Sequence, residues 1–196
     1  MYNASKSTFQ KGDKRMPRIK QLGQDEAQSW TKKLFKRVEE SLGLVPNMFR
    51  CMGNSDVGLD GFLALNAGIG SGKLGPKNVK MIILLTSQLN DCEYCVAAHT
   101  QMALNSGLLT TEECLNARKA IGTDEKTTKM LEFAKKVKLN NGNVTDEDIK
   151  IVRDAGFDDQ EIVEMIGGIA LITFANYVSN VGQPDLDFPE VKLDLD

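Results

Sequence analysis

Along most of this chain apolar residues recur at steps of three and four, the spacing that gathers side chains on one face of an α-helix. No stretch shows the sustained alternation of a half-buried strand. From Asp25 to Leu42 the recurring positions are Ala27, Trp30, Leu34, Val38 and Leu42, with charged residues opposite and Gly43 placed to end the helix. Leu44 to Phe49 predicts a short apolar helix with Pro46 in its first turn. A third helix covers Val57 to Ile69, and the glycines from Gly68 to Gly75 predict a loop. Pro76 opens the most apolar helix, through Val79, Ile82, Ile83, Leu85 and Leu89, which belongs in the middle of the domain. A segment starting at Asn90 or Asp91 runs to Leu104, and Gly107 closes it. Thr110, Asp124, Thr145 and Asp158 mark the starts of four more helices, the last reaching Val181. The pattern predicts an all-α fold, a helical bundle of about eight helices.

The ends read differently. Residues 1–17 are polar, lysine-rich and unpatterned, which predicts a flexible arm ahead of a single helical domain over residues 18–196. From Gln183 onward, Pro184 and Pro189 preclude a continuous helix, so the tail is extended, and its Leu186 and Phe188 need burial on this chain or a neighbouring subunit. A chain of 196 residues buries a sizeable core without disulfide staples. Its formal charge of -3, with Lys, Glu and Asp interspersed, argues against nucleic acid as a partner. The N-terminus lacks the apolar core of a signal peptide, and the longest apolar run, Met165 to Ala175, is too short to span a bilayer. A soluble, cytoplasmic protein with no membrane partner is expected, and its cysteines then sit in a reducing compartment.

Candidate chemistry concentrates at one point. Asn90 to Thr100, NDCEYCVAAHT, holds two of the four cysteines and the only histidine. On a helix, Cys92, Cys95 and His99 share one face, so two thiols and an imidazole converge. An imidazole takes a thiol proton or stabilises a thiolate, and cysteines two residues apart close a reducible disulfide. The pair therefore suggests a redox couple. The helix N-terminus favours thiolate character at Cys92, while His99 favours Cys95. Structural zinc is a competing reading, but it needs a fourth ligand from Cys51, Cys114 or a carboxylate. Covalent haem attachment requires a histidine where Val96 stands. Cys51 and Cys114 read as small buried hydrophobes. No cofactor-binding loop accompanies the motif.

The central TSQLNDCEYCVAAHT, with LVPNMFR before it and DAGFDDQEIVE and FANYVSNVGQPDLDFP after it, resembles the alkylhydroperoxidase D-like branch of the carboxymuconolactone decarboxylase superfamily. The resemblance extends over residues 26 to 190. It implies an all-helical fold assembling as a homo-oligomer, trimer or hexamer, with a thiol-dependent peroxidase site acting on a small hydroperoxide and reset by a dithiol or protein reductant. It further implies Cys95 as the attacking thiol, Cys92 as the resolving one and His99 as the relay base. Members that decarboxylate are not those marked by the cysteine pair. The family's relay glutamate lies twelve residues before the first cysteine, and that position is Lys80 here. A lysine cannot act as the carboxylate does, although its charge stabilises a thiolate if it points inward. Its plainest reading is a side chain extended to solvent. Glu164 is a candidate replacement carboxylate, while Glu93, one step from Cys92, should face elsewhere. Two alternatives to a peroxidase remain: a disulfide reductase or electron-transfer adaptor, and a zinc-stabilised structural protein.

Overall fold

The computed structural model describes residues 16–195, and the expected N-terminal arm falls almost wholly outside them. In chain order the helices are α1 (Ser29–Leu42), α2 (Asn47–Met52), α3 (Asp56–Gly70), α4 (Pro76–Leu89), α5 (Glu93–Asn105), α6 (Thr111–Arg118), α7 (Glu125–Leu139), α8 (Asp146–Asp154) and α9 (Asp159–Gly182). The described residues contain no strand, as the periodicity predicts. They form nine helices, close to the expected eight or so; the expected short apolar helix runs Asn47–Met52, with Pro46 as its N-cap instead of in its first turn.

Local chemistry sets most of the boundaries. Thr110, Asp124, Thr145 and Asp158 each accept a hydrogen bond from the N–H of the third helical residue, whose own side chain accepts one from the cap N–H. Each such box satisfies two amide donors that a helix start otherwise leaves open, worth about 1 kcal/mol for the cap residue. Two expectations shift. First, α1 starts at Ser29 instead of Asp25, because Glu26 folds back to accept from the Gly23 N–H at 3.0 Å and Ala27 closes a turn onto the Gly23 carbonyl. Its buried face is Thr31, Leu34, Phe35 and Val38, which leaves Trp30 and Leu42 exposed. Second, α3 continues through Gly68 to Gly70, so only residues 71–75 form the loop. Glycine costs about 1 kcal/mol inside a helix, and α3 offsets that by packing on α9, where Ile69 occupies the space beside Gly167.

Two helices carry the core. In α4 every residue from Met81 to Ser87 is buried, and the helix touches α3, α5, α6, α7 and α9, the arrangement expected of a helix apolar on all sides. The second, α9, has the length and composition to cross a bilayer, but half of it is buried within the protein through Met165, Ile169, Ile172 and Ala175. Its burial is that of a core helix. The cysteine helix α5 packs against both α4 and α9, so its motif lies at the domain's best-packed seam.

The tail is extended and crosses back over this seam. Asp187 accepts from the Asn47 N–H at 2.8 Å and from the Tyr94 hydroxyl, and the Phe188 ring stands edge-on to Tyr94 at 6.1 Å. Further along, the Lys192 carbonyl accepts from Arg118 Nη2 at 2.6 Å and the Leu193 carbonyl from Gln88 Nε2 at 3.0 Å. Phe188 therefore finds its burial on the same chain, whereas Leu186 stays 42% exposed.

Glycine is required at one tight connection. A Cβ at Gly122, between α6 and α7, would lie 2.4 Å from the Thr127 backbone carbon, so Gly122→Ala must displace main chain. A loss of about 2–3 kcal/mol in unfolding free energy is expected by urea denaturation. Loss below about 0.5 kcal/mol would mean that this connection is not tightly held.

Candidate active site

The motif begins where α4 ends. Asn90 caps α4, Asp91 turns the chain with φ of 49°, a left-handed conformation that Asp tolerates, and the Cys92 N–H donates to the Ser87 carbonyl at 3.0 Å. Cys92 is thus the N-cap of α5, one position outside the helix, where the sequence placed it in the first turn. Its sulfur does the work of a capping oxygen, accepting the Cys95 N–H at 3.4 Å. Both thiols are free and buried, at 0% and 2% exposure for Cys92 and Cys95.

Opposite them α9 presents a small polar set. Ser179 Oγ lies 3.6 Å from Cys95 Sγ. Asn176, fully buried, donates to Ser87 Oγ at 3.1 Å and accepts from Asn90 Nδ2 at 2.8 Å. The Asn90 carbonyl in turn accepts from Asn180 at 2.8 Å. These bonds tie the α4–α5 turn to α9 and orient the polar groups around the sulfurs.

The two thiols titrate in opposite directions. A hydrogen bond from the Cys95 thiol lowers Cys92 below the ordinary thiol range, helped by the Cys95 N–H and by the Asn176 and Ser179 side chains, against the effect of burial. Burial raises Cys95 well above that range, and its bond to Cys92 raises it further. The first proton to leave the pair therefore leaves its charge on Cys92.

His99 lies one helical turn beyond Cys95 and half-buried. Its Nδ1 is 3.1 Å from Lys80 Nζ. Lys80 is thus turned inward from α4, against the expectation that it extends to solvent. Burial holds the imidazole well below its usual pKa, and the Lys80 charge adds to this, so His99 is neutral at pH 7. Burial likewise brings Lys80 down to about 8, partly opposed by Cys114 on α6.

The other candidate carboxylate is elsewhere. Glu164 Oε2 accepts from the Leu74 N–H at 2.7 Å and Oε1 from Gln160 at 2.9 Å, pinning the 71–75 loop. It precedes Ser179 by fifteen residues of α9, about 22 Å at 1.5 Å rise per residue. Glu164 therefore stabilises a loop and does not join the cysteines. Glu93 is exposed, as its spacing predicts. Cys51 donates to the Ile19 carbonyl at 3.4 Å, and burial raises it to about 11. Among the described residues no three His, Cys, Asp or Glu side chains are grouped to hold a metal, and His99 Nδ1 is engaged by Lys80. The zinc reading lacks a ligand set.

Asn176 and Ser179 were not picked out from the sequence. Their signal is a polar pair three residues apart in the C-terminal half of a largely apolar helix, which places both on one buried face.

Comparison with known proteins follows the same lines. Residues 59–136, from α3 into α7, match the family model described as Carboxymuconolactone decarboxylase family. No curated protein matches the chain. Among solved structures, an alkylhydroperoxidase AhpD core, an uncharacterized peroxidase-related protein from Ralstonia eutropha, is similar with TM-score 0.76 and 21% identity, covering 87% of this chain and 93% of that one. A peroxidase-related protein from a Silicibacter species gives 0.75 and 23%, with 89% and 95% covered. A debrominase in complex with 2,3,4-tribromopyrrole gives 0.72 and 18%, with 89% and 94% covered. Over residues 59–136 the chain is thus similar to the carboxymuconolactone decarboxylase family, and as a whole it has the fold of the alkylhydroperoxidase AhpD core.

Proposed function

We propose that the protein is a thiol-dependent peroxidase that reduces a small hydroperoxide through Cys92 and Cys95, with His99 as proton acceptor. The observation that carries this reading is the buried thiol pair itself. Cys92 sulfur caps α5 and takes the Cys95 N–H, and the Cys95 thiol stabilises its charge.

The chemistry balances on these residues. His99 accepts one proton from the pair, leaving a single negative charge. Transfer of the remaining thiol proton from Cys95 to Cys92 moves that charge to Cys95, which attacks the peroxide oxygen. The O–O bond breaks, Cys95 becomes a sulfenic acid, and the departing alkoxide takes the proton from Cys92. The Cys92 thiolate then attacks the sulfenic sulfur, forming the disulfide and expelling hydroxide. One hydroperoxide is reduced to alcohol and one dithiol is oxidised. A dithiol, small or protein-borne, restores the pair.

Burial of both sulfurs favours a small substrate. It also weighs against the electron-transfer adaptor, in which a partner's disulfide must meet an exposed thiolate in line. The proposal includes a cytoplasmic location and self-association as a trimer or hexamer. Val57 and Leu65 of α3 and Ile166, Phe174 and Tyr177 of α9 are apolar side chains left exposed, which supports an interface between copies.

The test is hydroperoxide consumption by the purified, reduced protein with dithiothreitol as the only donor, with bromide release from a tribromopyrrole followed in parallel. Catalytic loss of peroxide supports the proposal. A titratable Cys92–Cys95 disulfide without peroxide turnover would move the function to disulfide reduction, and bromide release alone would move it to dehalogenation.

A further inference from the structure

We infer that Lys80 is a positioning residue for His99: its neutral amine accepts the Nδ1 proton of the imidazole and so leaves Nε2 bare to take a proton from the thiol pair. The inference deepens the thiol peroxidase reading and rests on it for its functional consequence.

The geometry is a close pairing of two bases. Lys80 Nζ reaches from α4 to within 3.1 Å of His99 Nδ1 on α5, and among the described residues no carboxylate acts on either group. The one other titratable group acting on Lys80 is Cys114, from α6, which is itself influenced by Glu113 and Arg118 of the same helix. On His99 the one acting charge is Lys80. Helices α3, α7 and α9, which also pack on α4, bring no charged group that shifts either residue.

Two hydrogen-bonded arrangements follow, and they differ in what the ring does. As an ammonium, Lys80 donates to Nδ1, so the ring proton sits on Nε2. The ring then has no lone pair free, and a second ring proton would create an imidazolium beside an ammonium in a buried place. As a neutral amine, Lys80 accepts from Nδ1–H, and Nε2 is bare. A thiol proton can then enter at Nε2 while the Nδ1 proton passes to Nζ. The thiolate is formed, the ring ends in the other tautomer, and the resulting ammonium releases its proton to solvent. Burial places the change between the two arrangements at about pH 8. A carboxylate at position 80 would reverse the sign, raising the basicity of His99 so that the ring takes up a proton at higher pH than it does beside Lys80.

His99 is the only histidine in the chain, so the ring nitrogens of uniformly 15N-labelled protein give signals that need no assignment. The expected result is an Nε2–H imidazole at pH 7 that becomes Nδ1–H by pH 9.5, with a midpoint about 8, and a thiol alkylation rate that rises over the same interval. Lys80→Met should show one tautomer throughout. Lys80→Arg, a permanent cation, should hold the Nε2–H form at every pH and serves if the first variant does not fold. Absence of the tautomer change in the unsubstituted protein, or the same change in both variants, overturns the inference. A tautomer change in a protein that consumes no peroxide supports the pairing and rejects the peroxidase reading alone.

Discussion

Cys92→Ser and Cys95→Ser are each expected to lower dithiol-dependent peroxide turnover by at least about a thousandfold, because the cycle needs one sulfur to attack and the other to resolve. The two variants should fail differently. Without Cys92, Cys95 still reacts once, so Cys92→Ser should consume one equivalent of peroxide and stop as a sulfenic acid on Cys95 that dimedone traps. Serine is among the best N-cap residues, so this variant keeps the cap of α5 and its fold. Without Cys95, Cys92 loses the thiol hydrogen bond that stabilises its charge and has no attacking partner, so Cys95→Ser should trap little or no sulfenic acid. Mass spectrometry of the dimedone-treated proteins decides between the two sulfurs. A sulfenic acid that accumulates on Cys92 in Cys95→Ser, with none on Cys95 in Cys92→Ser, would exchange the roles. Undiminished turnover in either variant would remove the disulfide from the cycle.

What could be read from the chain depended on whether the deciding interaction was local. Helix starts at Thr110, Asp124, Thr145 and Asp158 were legible because cap and partner lie three residues apart. The start of α1 was not. Ala27 and Trp30 fit the helical period, but the Glu26 fold-back onto Gly23 removed the first from the helix, and rotation of the buried face toward Thr31 and Phe35 exposed the second. Gly68 looked like a loop signal because its tolerance inside α3 comes from packing on α9, far away in the chain.

The site shows the same division. The helical step puts Cys95 and His99 one turn apart on α5, and the cap geometry of Cys92 brings its sulfur to the Cys95 N–H. Their electrostatics came from residues far along the sequence, Asn176 and Ser179 on α9 and Lys80 on α4, whose side-chain directions no local rule supplies. Lys80 is the clearest case. A lysine is normally a surface residue, and only the meeting of α4 with α5 turns this one onto the imidazole. Glu164 shows the converse, since a carboxylate on a core helix near the chain's end turned out to brace a loop about 22 Å along the axis from the cysteines.

Lys80→Met is expected to make the protein more stable at pH 7, by about 2–3 kcal/mol in urea unfolding under reducing conditions. The reason is the ionisation of a buried amine. In the unfolded chain Lys80 holds its proton up to its ordinary value of 10.5, whereas in the folded protein burial releases it above about 8. Between those limits the unfolded state binds more protons, so stability rises with pH; below about 8 the folded state carries the full penalty of a buried ammonium. Methionine fills comparable space without a charge, so its advantage over lysine should be complete at pH 7, shrink through pH 9 and vanish above about 10.5. Comparison of the two proteins at each pH cancels the other groups that titrate in this range. A variant no more stable at pH 7, or an advantage constant to pH 10.5, would show that Lys80 is not held as a buried base. A stabilising substitution would mean that the chain keeps a destabilising residue at this position, and the 3.1 Å contact with His99 is the feature that gives its retention a purpose.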